Sequence, residues 1–264
     1  MHRLRVLSAV LLLPPFFLLV QLGPPWLFHV VTAGIILLSA WEFGRLCLAG
    51  SNIGFTVLTA AGALCWLAGV LGVFPLMAVL PLCVIIGMLR AFTGAENLSA
   101  VTQRVAWMVF GVAYVGALPS CWSLLRVLPD GRGLVLFVAL TIWASDTGAF
   151  YVGSRWGRRS LAPRISPKKS IEGVLGGLFG GMLVALAGTG WLWPQISVAT
   201  ALWVSPVLIV AGIAGDLSES ALKRGAGLKD SGVIIPGHGG ILDRLDSLMF
   251  AGPILYGLVR LGWV

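Results

Sequence analysis

The sequence predicts an all-α polytopic membrane protein with about nine transmembrane helices and a cytoplasmic N-terminus. Hydrophobic residues make up 58% of the 264 residues and charged residues only 11%, whereas roughly a quarter of a soluble domain is charged. Apolar stretches of roughly 20 residues recur along the chain, each long enough to cross a bilayer as a helix. Because these stretches are continuous rather than alternating, helices are favoured over a barrel, the other fold that satisfies the backbone in lipid.

The apolar stretches define nine predicted spans and an orientation. The spans lie at about 6–22, 26–44, 55–72, 74–92, 105–125, 133–152, 172–193, 198–215 and 242–261. With the N-terminus in the cytoplasm, 15 of the 18 Lys and Arg residues fall inside, and only Arg126, Arg132 and Arg260 fall outside. This asymmetry decides the topology. The net charge of +8 is therefore a one-sided basic surface, which attracts anionic headgroups or polyphosphates.

Acidic residues divide the chain near residue 140. Seven of the 10 acidic residues follow it: Asp146, Glu172, Asp216, Glu219, Asp230, Asp243 and Asp246. We therefore interpret residues 1–139 as scaffold helices and residues 140–264 as a catalytic region. The two parts are expected to pack as one integrated membrane domain.

Asp146 lies within the sixth predicted span, in the segment ASDTGAFYVGSRWGRR. A charge at such a position is costly unless it faces a wet cavity or a partner. Gly148, Gly153 and Gly157 permit either close helix packing or the approach of a ligand to the backbone. A functional carboxylate and a structural one in a glycine-lined helix contact both fit this pattern.

The segment RISPKKSIEG combines a predicted turn at Ser166–Pro167 with Lys168 and Lys169, just before the next helix. Ser170 or Ser166 is the expected N-cap of that helix, and Glu172 complements its dipole. A helix N-terminus with two lysines also suits a phosphate group. A capped helix with a basic cytoplasmic flank explains the pattern equally well.

A polar stripe follows the eighth span, where Asp216, Ser220 and Lys223 fall at helical spacings. Glu219 and Lys223 are spaced for an ordinary i,i+4 surface pair. Asp216 is less ordinary, because it is expected at the end of an apolar span. A functional carboxylate is the better interpretation there.

The last cluster is IIPGHGGILDRLDS, residues 234–247. Its glycines rule out a regular helix, and the turn is suited to offer N–H groups to an anion. Asp243 and Asp246 share one helix face and repel each other unless a cation lies between them. Mg²⁺ is the economical explanation, since it is held by one or two carboxylates together with substrate phosphates. With the nearby basic residues, this indicates metal-dependent handling of a phosphorylated substrate beside the membrane.

The run SALKRGAGLKDSGVIIPGHGGILDRLD, residues 220–246, closely resembles the signature of the phosphatidate cytidylyltransferases, also called CDP-diacylglycerol synthases. SPKKSIEG resembles a second conserved stretch of that family. The segment from Asp146 resembles a third, with Phe150 preceding Tyr151. The specific part of the resemblance covers about residues 146–250.

The resemblance implies transfer of a cytidylyl group from CTP to phosphatidate, with one or two Mg²⁺ ions. It implies metal ligands at Asp216, Asp243 and Asp246, which with Ser220 and Lys223 form the catalytic set. It implies substrate binding by Lys168, Lys169, Ser170, Lys223, Arg224, Lys229, His238, Gly239, Gly240 and Arg244. Asp146 and Asp230 would orient the substrate or the ligands.

The same resemblance implies partners and a location. The partners are CTP, phosphatidate and membrane lipids, with no nucleic acid, and assembly as a homodimer is expected. The expected location is the bacterial inner membrane, with the active site facing the cytoplasm.

Three alternatives remain. A cytidylyltransferase for another lipid phosphate would show the same signature. A CDP-alcohol phosphotransferase would show a D-G-x-x-A-R pattern followed by further aspartates, which this chain lacks. An ion-coupled transporter would place its acidic residues at the membrane midplane between inverted repeats, and no such repeat is detected.

Overall fold

The computed structural model describes residues 13–47, 98–228, 231–232 and 239–264, with short stretches between 62 and 89. Residues 13–21 are helical. The helices whose first and last residues are both described are α1 (Pro25–Cys47), α2 (Leu98–Gly111), a π-helix (Val112–Ala117), α3 (Leu118–Val127), α4 (Gly131–Trp156), α5 (Ile171–Gly188), α6 (Val198–Gly225) and α7 (Leu242–Arg260).

Five described helices are long and apolar enough to cross a membrane, which makes this an all-α membrane protein. They are Pro25–Cys47, Val105–Val127, Gly131–Trp156, Ile171–Gly188 and Val198–Gly225. The predicted spans at 55–72 and 74–92 lie largely outside the described residues. The total of nine spans and the side of the N-terminus therefore stay predictions.

Two helices end at residues that differ from the ends of the predicted spans. Helix α6 continues beyond the apolar span predicted to end near residue 215, as far as Gly225, because the segment after Asp216 is rich in helix formers. Asp216, Ser220 and Lys223 therefore lie on one helix, as their spacing predicted. Helix α5 ends at Gly188 rather than near residue 193, since the carbonyl of Gly188 accepts hydrogen bonds from three N–H groups of a following turn.

A short hairpin joins α4 to α5. Its strands are β1 (Ser160–Ala162) and β2 (Ser166–Ser170), which pair antiparallel with Ser160 opposite Ser170. The turn occupies residues 163–165, so the predicted turn at Ser166–Pro167 is wrong. Proline fits there because each strand of a two-stranded sheet has an edge that needs no donor. The predicted cap is confirmed, since Ser170 Oγ accepts a hydrogen bond from Gly173 N at 3.0 Å.

Helices α4 and α5 pack with their backbones in close approach. A Cβ added at Gly177 would lie 2.9 Å from Ser145 Oγ, and one at Gly180 would lie 3.0 Å from the carbonyl oxygen of Ala144. Gly148 likewise abuts the backbone of α5. Small residues permit this geometry between membrane helices. The packing interpretation of Gly148 is therefore confirmed.

Helix α7 packs against helices from both parts of the chain. It packs along α6 and also contacts α3, α4 and α1. Its buried Leu248 and Leu255 join a core that includes Phe137 of α4 and Leu208 of α6. Helices from both sides of residue 140 thus form one bundle, in which the N-terminal end of α7 lies beside the C-terminal half of α6.

Candidate active site

Four carboxylates on α4, α6 and α7 lie near enough to one another for their charges to interact. The charges of Asp216, Glu219 and Asp146 act on Asp246, and the charge of Asp216 also acts on Asp146. The side chain of Asp146 is exposed to solvent. The structure thus brings Asp146 together with two of the predicted metal ligands. We call Asp146, Asp216, Glu219 and Asp246 the carboxylate cluster.

Lys169 reaches this cluster from the hairpin. Its Nζ forms an ion pair with Asp216 Oδ2, and both side chains are about one quarter exposed, at 26% and 27%. Lys168, its neighbour on β2, is exposed. The hairpin therefore contributes one lysine directly to the carboxylate cluster, and the sequence alone did not distinguish the two lysines.

Lys223 joins α6 to α7. Its Nζ pairs with Glu219 on its own helix and with Asp243 Oδ1 on α7. The Glu219–Lys223 pair was predicted at the surface, but Glu219 is only 2% exposed and Lys223 only 11%. Removing one partner of such a buried pair lowers the stability of the fold far more than removing one partner of a surface pair.

Asp243 holds the start of α7 in place. Its Oδ2 accepts hydrogen bonds from Ser231 N at 3.0 Å, Ser231 Oγ at 2.8 Å and Gly240 N at 2.8 Å. Gly239 has a φ of +79°, and a Cβ added there would lie 2.6 Å from Asp243 Oδ2. The glycine thus fits both the left-handed backbone and the space beside the carboxylate. Asp243 organises this loop, while Asp246, one turn further on, belongs to the carboxylate cluster.

The glycine turn was predicted to offer N–H groups to an anion. In the structure Gly240 N donates to Asp243, while Ile241 N and Leu242 N donate to Glu42 at 2.9 Å each. Three consecutive donors at the start of α7 are therefore bonded to protein carboxylates. The lysines are the better candidates for binding phosphate.

The donor set suits a hard divalent cation. The carboxylates offer oxygen ligands, and together with Asp243 they outnumber Lys169 and Lys223, which pair with them. Within the described part of the chain, no three His, Cys, Asp or Glu side chains converge as a preformed cage. Mg²⁺ commonly takes one or two carboxylates and completes its octahedron with water and substrate phosphates. The residues present fit such an ion.

The remaining predicted residues lie around this centre or outside the described residues. Ser220 is half-buried on α6, beside Glu219 in sequence. Arg224 is exposed, and its Nη1 donates to the carbonyl of Leu228 at 3.2 Å. Arg244 is exposed on the first turn of α7. Lys229, Asp230 and His238 lie outside the described residues.

Comparison with known proteins gives the family. The model of the cytidylyltransferase family matches residues 3–261. The chain belongs to this family. Over 277 residues it is 35% identical to a phosphatidate cytidylyltransferase of Pseudomonas aeruginosa, covering 100% of this chain and 99% of the relative. A Synechocystis protein of that name is 33% identical over 285 residues, with 97% and 96% covered, and a Staphylococcus aureus one is 43% identical over 150 residues, 57% of each chain.

Two residues beside this cytidylyltransferase-family site, Glu42 and Tyr114, come from the predicted scaffold. Glu42 of α1 is fully buried, and its carboxylate accepts hydrogen bonds from the start of α7. The sequence prediction does not include Glu42, because it depends on the acidic residues that cluster after residue 140. A signal was present, since an acidic residue inside an apolar span needs a partner.

Tyr114 is the second residue that was missed. It lies in the π-helix, a distortion that is frequent at functional sites. Its side chain is 3% exposed, and its hydroxyl has no hydrogen-bond partner among the described residues. The charges of Glu219, Asp246 and Asp216 act on it. The phenol therefore borders the carboxylate cluster from the π-helix, within an aromatic group that includes Phe43, Phe110 and Phe250.

Proposed function

We propose that this protein transfers the cytidylyl group of CTP to phosphatidate, giving CDP-diacylglycerol and pyrophosphate for phospholipid biosynthesis. The family match over residues 3–261 and the full-length relatives named phosphatidate cytidylyltransferase support this activity. The observation that carries the proposal is the meeting of carboxylates and lysines, typified by the Lys169–Asp216 pair. Phosphate transfer beside a membrane needs both kinds of group.

The reaction makes modest demands on acid–base chemistry. A phosphate oxygen of phosphatidate attacks the α-phosphorus of CTP, a new P–O bond forms, and the bond to the bridging oxygen of the leaving pyrophosphate breaks. The nucleophile and the leaving group are already anionic, so no strong general base is required. The protein has to position two polyanions and neutralise their mutual repulsion.

The carboxylates and lysines divide this work. Asp216 and Asp246, with Asp146 beside them, would hold Mg²⁺, and Asp243 would support them by fixing the start of α7. The bound ion would neutralise phosphate charge and help align the reacting oxygens. Lys169 and Lys223 would bind phosphate groups of the substrates.

The ion pairs couple substrate binding to metal binding. Lys169 pairs with Asp216, and Lys223 pairs with Asp243. Each lysine can turn to a phosphate at low cost only if its carboxylate gains another positive partner, because an unpaired buried charge is expensive. We therefore expect CTP and Mg²⁺ to bind cooperatively.

The location and assembly belong to the same proposal. The described apolar helices support a membrane protein, and bacterial relatives support a bacterial one. We propose the inner membrane, with the site facing the cytoplasm, where CTP is available. Arg126, Arg132 and Arg260 lie at the helix ends opposite to Asp243, in agreement with this orientation. The homodimer stays a prediction.

The decisive experiment uses the full chain in detergent micelles with labelled CTP, Mg²⁺ and phosphatidate. Label should enter a lipid product in equal amount to the pyrophosphate released. Asp246→Asn is the inactive control. Pyrophosphate release that does not require phosphatidate would overturn the proposal, as would a complete lack of transfer by folded protein.

The same assay separates the nearest alternative. A panel of lipid phosphates with different backbones is offered in place of phosphatidate. We expect the highest kcat/KM with phosphatidate. Preference for another lipid phosphate would retain the cytidylyl transfer and reassign the acceptor.

A further inference from the structure

Glu42 caps a helix that begins at the other end of the chain. Its Oε1 accepts a hydrogen bond from Ile241 N and its Oε2 one from Leu242 N, both at 2.9 Å. The first N–H groups of a helix have no partner within the helix. The residue at the N-cap of α7, Ile241, has an apolar side chain and makes no capping bond. Glu42 therefore supplies the cap that the local sequence lacks.

The surrounding loop is shaped to receive this carboxylate. A Cβ added at Gly232 would lie 2.6 Å from Glu42 Oε1, and one at Gly240 would lie 2.5 Å from the same atom. Only glycine leaves room for Glu42 at these two positions. A negative charge is also favourable at a helix N-terminus, where the peptide dipoles are positive. Glu42 thus fills a fitted site rather than an incidental gap.

Ser231 links Glu42 to the proposed active site. Its Oγ lies 2.8 Å from Asp243 Oδ2 and 3.2 Å from Glu42 Oε2. The N–H groups at the start of α7 are divided between the same two carboxylates, with Gly240 N bonded to Asp243. Any shift of Glu42 therefore moves the groups that fix Asp243.

We propose that Glu42 is a positioning residue for the cytidylyl transfer, acting by locking the start of α7 so that Asp243 and Asp246 keep their places. The proposal rests on the proposed function. Glu42 is fully buried, so it acts through α7 and Ser231 rather than by contact with substrate. Helix α1, which was predicted as scaffold, thereby helps to position the active site.

The main test is Glu42→Gln, which keeps the side-chain volume but replaces one acceptor with an amide that donates. We expect kcat to fall about 10- to 100-fold, the range found when a group orienting an active-site ligand is lost. The KM for CTP should change less than about threefold, because Glu42 does not contact substrate. Glu42→Asp, which keeps the charge on a shorter side chain, should recover part of kcat.

The matched control is Ile36 on the same helix, which is also fully buried but lies away from α7's first turn. Of Ile36→Val and Ile36→Ala, the control is the variant whose melting temperature is nearer to that of Glu42→Gln. Equal kcat in the matched pair would reduce Glu42 to a stability residue and overturn the proposal.

Hydrogen exchange gives a readout that needs no activity. The amides of peptides covering residues 239–247 should exchange faster in Glu42→Gln than in the wild type. Their exchange rate in the Ile36 control should equal that of the wild type. Unchanged exchange in Glu42→Gln would refute the capping role. If Glu42→Gln does not insert, Ser231→Ala is measured in its place with the same two criteria. If Glu42→Gln exchanges faster but the wild type makes no CDP-diacylglycerol, the proposed function is refuted and the capping role is retained.

Discussion

Lys169, at the end of the hairpin, forms an ion pair with Asp216 in the C-terminal half of helix α6. This contact is the link between a short polar connection and the carboxylate cluster. The contact also distinguishes Lys169 from its neighbour Lys168, which is exposed.

We expect Lys169→Ala to raise the KM for CTP about tenfold, the scale of one charge-assisted hydrogen bond. Lys168→Ala is the control on the same strand and should change KM less than about twofold. Steady-state kinetics over a CTP series checks both. Equal effects of the two substitutions would show that the hairpin acts only through its overall charge.

Asp243→Asn and Asp246→Asn should both abolish product formation but differ in stability. Asp243 is bonded to Lys223, Ser231 and Gly240, so its neutralisation should cost about 3 kcal/mol, as when one partner of a buried pair is removed. Asp246 sits among like charges, and Asp246→Asn should leave stability unchanged or raise it. Thermal unfolding in detergent measures the difference. The opposite order of melting temperatures would contradict these roles.

Gly215→Ala should damage the site through the backbone of Asp246. The added Cβ would lie 3.3 Å from Phe250 Cγ and closer still to the backbone of Asp246. Such overpacking costs about 1–3 kcal/mol and should push Asp246 away from α6, lowering kcat. Gly225→Ala on the same helix is the control, because its Cβ would meet nothing within 4 Å. Similar kcat values in the two variants would argue against a tight contact at Gly215.

Asp146→Asn should change the Mg²⁺ requirement more than the CTP requirement. Asp146 lies beside Asp216 and Asp246, so its charge helps to attract a cation to them. We expect the Mg²⁺ concentration for half-maximal rate to rise about tenfold, as for groups that support metal ligands. Metal titration at saturating CTP measures this. An unchanged metal dependence would make Asp146 a structural carboxylate of the helix contact.

Local features were predictable from the sequence because they depend on neighbouring residues. The apolar stretches predicted α1 and α4 to within a few residues, and the Ser170 cap follows from its position before α5. The Glu219–Lys223 pair follows from helical spacing. Its burial does not, because burial depends on which helices pack against α6.

Features that depend on tertiary contact were not predictable. Strands β1 and β2 carry no apolar alternation, so the hairpin leaves no periodic signal. The approach of Asp146 to Asp246 requires the packing of α4 and α7. The carboxylates were therefore recognised individually, while the different contacts of Asp243 and Asp246 required the structure.

The contact between Glu42 and α7 also constrains the order in which the protein matures. The hydrogen bonds join positions 199 and 200 residues apart. Contacts of such long sequence separation form late, and chains fold from the N-terminus during synthesis. Asp146 and Asp216 are synthesised before the start of α7. Nascent and truncated chains that lack α7 should therefore be inert toward CTP, because the contact between Glu42 and the start of α7 has not formed in them.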